Sequence, residues 1–272
     1  MNNGLRVAIE MNAYLFGCMI IMLFWFITLI TLRVKKKDRN IAEFYWASFA
    51  CSLYGFAEPL FVPEYWDPPS ILKFCRLDLE SFIFCFGVGG LASVLTELPK
   101  VKKMALRLNY LLWLCLRSIF LSWRSIFLRS SEHNNIATIS YSEVSFSRDD
   151  RRIENMLFVA FSLAVFGCTA HFNFNIIYDV ALVCVASSCF IWWRRPKLNW
   201  QIIGGGLIFT IIYTIVLVIV GQIYPDFYNH WNLDDLSGLR FAGAPVEEYL
   251  FAFTFGALWA PLYEAWKDEK AR

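Results

Sequence analysis

Charge is what this sequence has least of. Asp, Glu, Lys and Arg make up 18% of its 272 residues, against about 25% in a typical soluble domain. With 58% hydrophobic residues, that scarcity excludes a disordered chain. The net charge of +2 leaves no broad basic face for nucleic acid. Eight cysteines are present, but none forms a CxxC pair and most sit in apolar runs. Neither a secreted disulfide framework nor a zinc site is expected, and the cysteines read as small apolar core residues. The clusters Gly87-Val-Gly89-Gly90 and Gly204-Gly205-Gly206 lie in no strand–turn–helix unit. They exclude a flavin or nicotinamide fingerprint and read as helix-packing sites. No metal or cofactor is expected.

Apolar mass is what the chain has in excess. Its mean hydropathy is +0.47, and 18% of residues are aromatic, with 26 Phe and 11 Trp. Seven apolar stretches approach the roughly 20 residues that a membrane-crossing helix needs. They lie near 12–32, 42–62, 78–97, 155–172, 174–193, 200–223 and 245–266. The first is too long for a signal-peptide core, and its basic residues follow it, so it is expected to be retained. Residues 104–128 carry Arg117 and Arg124, with Lys103 just before them, on nearly one helical face and read as a helix lying in the interface plane. Residues 129–153 read as a cytoplasmic linker. Basic clusters at Arg33–Arg39, Lys100–Lys103 and Arg194–Lys197 all fall inside if there are seven spans, with the N-terminus outside and the C-terminus cytoplasmic. The expected fold is all-α, a polytopic membrane helix bundle.

Two of these stretches repeat. At an offset of 167, Glu80 aligns with Glu247, Phe84 with Phe251, Phe86 with Phe253, Gly89 with Gly256, Leu91 with Leu258 and Glu97 with Glu264. The preceding loops, PEYWD at 63–67 and YNHWN at 228–232, place Trp66 opposite Trp231. The spacing predicts two parallel three-helix repeats, 1–100 and 174–272, joined through 101–173 by a linking helix. Duplicated membrane folds commonly place the working site where the repeats meet.

At these residues the sequence resembles a known family. Pro245-Val-Glu247-Glu248 followed by Tyr-Leu-Phe251 resembles the PxEE-hydrophobic signature of the membrane-integral lycopene cyclase domain, found as paired subunits in some bacteria and fused in fungi. GFAEPLFVPEYWDPP at 55–69 and the following helix resemble single-chain bacterial members. The first copy departs from the pattern: Asp78 replaces the proline and Ser81 the second acid. The resemblance covers about 1–100 and 174–266 and leaves out 104–153. It implies a bacterial inner-membrane enzyme of the lycopene β-cyclase type, an intramolecular lyase or isomerase in carotenoid biosynthesis. The partners implied are a carotenoid or related polyene and the lipid bilayer, without nucleic acid. The oligomeric state is left open.

Cyclising a polyene end needs a protonated acid, a base and a lining that tolerates a cation. Glu247 and Glu248 adjoin one another at a helix start, and desolvated neighbouring acids disfavour double ionisation. Glu80 is the expected partner from the matching helix. These three are the candidate catalytic residues, with Asp78, Glu58 and Asp179 in second rank as acids within or beside spans. Phe82, Phe84, Phe86, Tyr249, Phe251 and Phe253 flank the acids and are candidates for the cation-stabilising substrate lining. Trp66 and Trp231 join them from the loops. Glu97 and Glu264 lie about 25 Å along their helices from the outer acids and are expected to sit at the interface or to pair with Lys100 or Lys267. Two rivals are a non-catalytic carotenoid- or isoprenoid-binding or transport protein and a glutamate-type intramembrane protease. The protease reading uses the EE pair and His171-Phe-Asn-Phe-Asn175. It fails on order, and on Ala252 where that family has arginine.

Overall fold

The computed structural model describes residues 13–68, 70, 73–74, 77–97, 103, 148–172 and 174–267. The proposed interfacial helix at 104–128 lies outside the described residues. The structure is mostly helical. Helix α1 (Ala13–Val34) is followed by α2 (Asp38–Ser52), a 3-10 stretch Leu53–Ala57 and the short α3 (Glu58–Phe61). A two-stranded hairpin of β1 (Lys73–Phe74) and β2 (Leu77–Asp78) leads into α4 (Leu79–Val94). Then come α5 (Arg148–Ala170), α6 (Ile176–Arg194) and α7 (Asn199–Ile223). A second hairpin, β3 (Arg240–Phe241) with β4 (Ala244–Pro245), leads into α8 (Val246–Lys267). Arg148–Ile153, read from the sequence as the end of a linker, already belong to α5.

Among the described residues, four helical stretches are long and apolar enough to cross a membrane: Ala13–Val34, Arg152–Ala170, Ile176–Arg194 and Pro196–Ile223. Their exposed residues are large and apolar, among them Leu23, Ile30, Met156, Leu163, Val185 and Ile211. Water would oppose such a surface and lipid would not. The remaining expected spans differ in form. The stretch read as 42–62 is helical from Asp38 to Phe61 but tightens to 3-10 geometry at Leu53. Pro59 sits in the first turn of α3, where its missing N–H costs no helical bond. Helix α4 has 16 residues. Helix α8 has 22, but its acids, tyrosines and tryptophans lower its hydropathy.

One end of the bundle holds the ion pairs of Arg39, Arg194 and Arg195, and the other holds Glu58, Glu247 and Glu248. Arg39, at the start of α2, pairs with Glu264 near the end of α8 at 2.9 Å. That corrects the expected pairing with lysine; Lys267 instead sits over the Tyr263 ring. Glu154 of α5 bridges Arg194, which ends α6, and the next residue, Arg195, each at 3.0 Å. At the opposite end Tyr14 of α1 reaches Ser81 of α4.

The hairpins share their register. Lys73 faces Asp78 and Phe74 faces Leu77; Arg240 faces Pro245 and Phe241 faces Ala244, each position shifted by 167. In the second, Ala242 (φ +47) and Gly243 (φ +93) form the turn, the two positive values that tight hairpins need. The matched glycines also share a task. A Cβ on Gly89 of α4 would meet the Ala47 carbonyl of α2 at 2.7 Å, and one on Gly256 of α8 would meet the Gly205 carbonyl of α7 at 2.6 Å. Each lets two backbones approach, as small residues do in membrane bundles. Of the described cysteines, Cys18, Cys51 and Cys184 are buried as expected, while Cys168 and Cys189 face outward.

Candidate active site

Two loops set the site. Trp66 and Trp231 form an isolated antiparallel bridge. The Asp67 amide donates to the His230 carbonyl, and the Asn232 amide to the Tyr65 carbonyl, both at 2.9 Å. The bonds are reciprocal: each joins the residue after one tryptophan to the residue before the other. The indole rings lie 5.7 Å apart. This bridge fixes Tyr65 and Trp231 over the first turn of α8.

There they hold Glu248. Tyr65 Oη donates to its Oε1 at 2.7 Å and Trp231 Nε1 to the same oxygen at 2.8 Å. Tyr213 Oη of α7 donates to Oε2 at 2.6 Å. Hydrogen bonds to a charged group contribute about 1.5–3 kcal/mol each, which offsets the cost of burying this side chain, 5% exposed. Burial, followed by the Glu248 carboxylate, pushes the Tyr65 phenol well above its ordinary pKa and keeps it a donor.

Glu247 is turned about 100° around the helix from Glu248. Its Oε1 accepts from Tyr178 Oη of α6 at 2.6 Å and from the Ser237 amide at 2.9 Å. Its Oε2 is buried with no partner. In the N-terminal helices, Glu80 accepts from Ser70 Oγ at 2.9 Å. Glu58 accepts from the Asp78 amide and from Ser81 Oγ, both at 2.6 Å. Asp179 is buried on α6 with Oδ1 unpartnered.

A cavity of about 420 Å³ lies between the N-terminal and C-terminal helices. Its wall is mostly apolar, and the acids on it are Glu58 and Glu248; Trp66, Trp231, Tyr65 and Tyr213 also line it. Of the six aromatic lining candidates, Phe84 and Phe251 reach it. Phe82 packs on Phe56, Phe86 on Trp25 and Phe49, Phe253 against Gly206, and Tyr249 donates to the Phe241 carbonyl. Residues two apart on a helix lie about 200° apart, so an alternating Phe row cannot share a face. The faces that do reach the cavity run Ser81, Phe84, Cys85, Val88 and Glu248, Phe251, Phe255, Leu258, Trp259. Leu60 of α3 and Leu163 of α5 line the cavity and are also exposed, so it opens sideways on the lipid-facing flank.

Tyr65, Tyr178 and Tyr213 were not among the sequence candidates. A lone tyrosine in a loop, a first turn or the middle of a span is too common a signal to single out. His171 is exposed, and Asn175 caps α6 by accepting from the Ile177 amide. Among the described residues, no group of three or more His, Cys, Asp or Glu is placed to hold a metal. Comparison with curated proteins and with solved structures gives no match. Residues 175–266, which include α6, α7, Trp231 and the acid pair of α8, match the family model of lycopene cyclase.

Proposed function

We propose that this chain is a membrane-integral cyclase acting on the acyclic end groups of lycopene or a related polyene. The observation that carries this reading is Glu248, a buried carboxylate held by three donors on the wall of an apolar cavity. The family match over 175–266 supports the substrate class.

The reaction is redox-neutral. A carboxyl group delivers a proton to the terminal alkene, giving a tertiary cation. A neighbouring double bond attacks, closing the ring and moving the charge onto it. A carboxylate then removes a ring proton and the double bond re-forms, of the β type in this proposal. Every atom and electron is accounted for without a cofactor. Trp66, Trp231 and Phe251 line the same cavity, and an aromatic ring face stabilises a desolvated cation by about 2 kcal/mol or more. The polyene enters from the bilayer past Leu60 and Leu163. Glu247, packed behind Glu248 with Tyr178, fixes the start of α8.

We further read the chain as seven spans in two parallel three-helix repeats, α1–α4 and α6–α8, linked by α5. The equal hairpin registers, the reciprocal tryptophan bridge and the matched glycine crossings support that reading. The basic clusters then lie on the cytoplasmic side of a bacterial inner membrane.

The test is pigment analysis in a bacterial host that makes lycopene. The intact protein converts lycopene into a monocyclic or bicyclic product, and Glu248→Gln lowers conversion at least about 100-fold, the smaller end of the usual acid–base contribution. Unchanged lycopene co-purifying with the intact protein would instead identify a binder.

A further inference from the structure

The two ends of the internal alignment differ where chemistry needs them most. Position 248 is an acid and its counterpart, position 81, is a serine. A serine cannot deliver or remove a proton at carbon on its own. Yet the first half does present a carboxyl group to the cavity, and it comes from elsewhere in the chain. Glu58 of α3 lines the cavity wall and is 5% exposed. Ser81 Oγ binds its Oε1 at 2.6 Å, so the carboxyl group sits directly on the position the second acid would have occupied. Tyr14 Oη, also on the cavity wall, closes on Ser81 at 2.9 Å.

The surroundings of Glu58 and Glu248 also differ. Every partner of Glu248 in the cavity is a phenol or indole donor, so both oxygens serve as acceptors. Glu58 has Asp78 beside it, whose amide donates to Oε2 at 2.6 Å. Asp78 is itself buried, at 2% exposure. Two buried carboxyl groups set side by side disfavour double ionisation, which favours a retained proton in this corner.

We propose that Glu58, buried beside Asp78 and seated on Ser81, is the proton donor of the reaction and replaces the acid missing at position 81, while Glu248 is the proton acceptor. The proposal rests on the cyclase reading above. In the step, Glu58 O–H breaks and a C–H bond forms at the terminal alkene carbon. The ring C–H proton later passes to Glu248, and exchange with solvent restores both groups. Glu58 touches the substrate. Asp78 and Ser81 are positioning residues.

The decisive experiment relocates the acid. In the lycopene-producing host, Glu58→Gln lowers cyclic product at least 100-fold, and Asp78→Asn lowers it about tenfold. The double variant Glu58→Ala with Ser81→Glu recovers product to within about tenfold of the intact protein. Retained activity in Glu58→Gln overturns the proposal. So does failure of the double variant to recover when it is present in the membrane at the intact protein's level. A second measurement stands apart from turnover. Lycopene bound to the purified protein should shift its visible absorption band in Glu58→Gln, since the carboxyl group borders the cavity. If the intact protein makes no cyclic product, the cyclase reading fails first, and an unshifted band then removes Glu58 from the binding wall as well.

Discussion

The two acid corners start from the same scaffold and end in different chemistry. Each follows a hairpin of equal register, opens a helix, and lies beside a tryptophan of the central bridge. In the C-terminal corner the acid is carried by the helix itself and is caged by aromatic donors. In the N-terminal corner the helix supplies a serine, and the acid arrives from α3. A shared fold therefore fixes where a carboxyl group is needed, while leaving open which residue supplies it. This is how one cavity can hold a donor and an acceptor that are not equivalent.

The largest expected effect is on the aromatic cage. Removing both phenols with Tyr65→Phe and Tyr213→Phe should lower conversion at least about 100-fold, at about 1.5–3 kcal/mol per bond to a charged group. Tyr14→Phe in the other corner should cost no more than about fivefold, because its bond is to a hydroxyl. Equal losses in product yield would show that the corners are alike after all.

Next come the glycine crossings. Gly89→Ala and Gly256→Ala each force a methyl group against a facing backbone carbonyl and should destabilise the bundle by about 1–3 kcal/mol. Gly167→Ala meets nothing within 4 Å and should leave thermal unfolding in detergent unchanged. A melt in which Gly167→Ala is as damaging would remove the packing argument.

The tryptophans should separate the corners more finely. Trp231→Phe loses the donor to Glu248 and should lower conversion about tenfold. Trp66→Phe keeps the ring and should cost about threefold or less in the same assay. Smallest is the basic end. Arg39 is 41% exposed in its pair with Glu264, so Arg39→Ala should cost at most about 1 kcal/mol in unfolding.

Glu80 and Glu247, the glycines and the loop tryptophans were legible in the sequence because each is local and each has a match at or near the offset of 167. The cage was not. Tyr65 lies 183 positions from Glu248 and Tyr213 lies 35 away, and no local pattern links them. The phenylalanine rows misdirected for a geometric reason, since residues at i and i+2 face opposite sides of a helix. Reading at i+3 and i+4 from Ser81 and Glu248 picks out Phe84, Cys85, Val88, Phe251 and Phe255, which do line the cavity. The break at Leu53 was hidden because hydropathy runs through it unchanged, while the backbone tightens to bring Glu58 inward.

The reciprocal hydrogen bonds around Trp66 and Trp231 bear on ancestry. They form the self-complementary contact that two identical chains make about a two-fold axis. In a dimer of identical chains, any substitution appears on both sides at once, so both corners stay acidic or neither does. On the two-repeat reading proposed above, joining the halves in one polypeptide breaks that constraint. Position 81 is then free to become serine while position 248 remains glutamate.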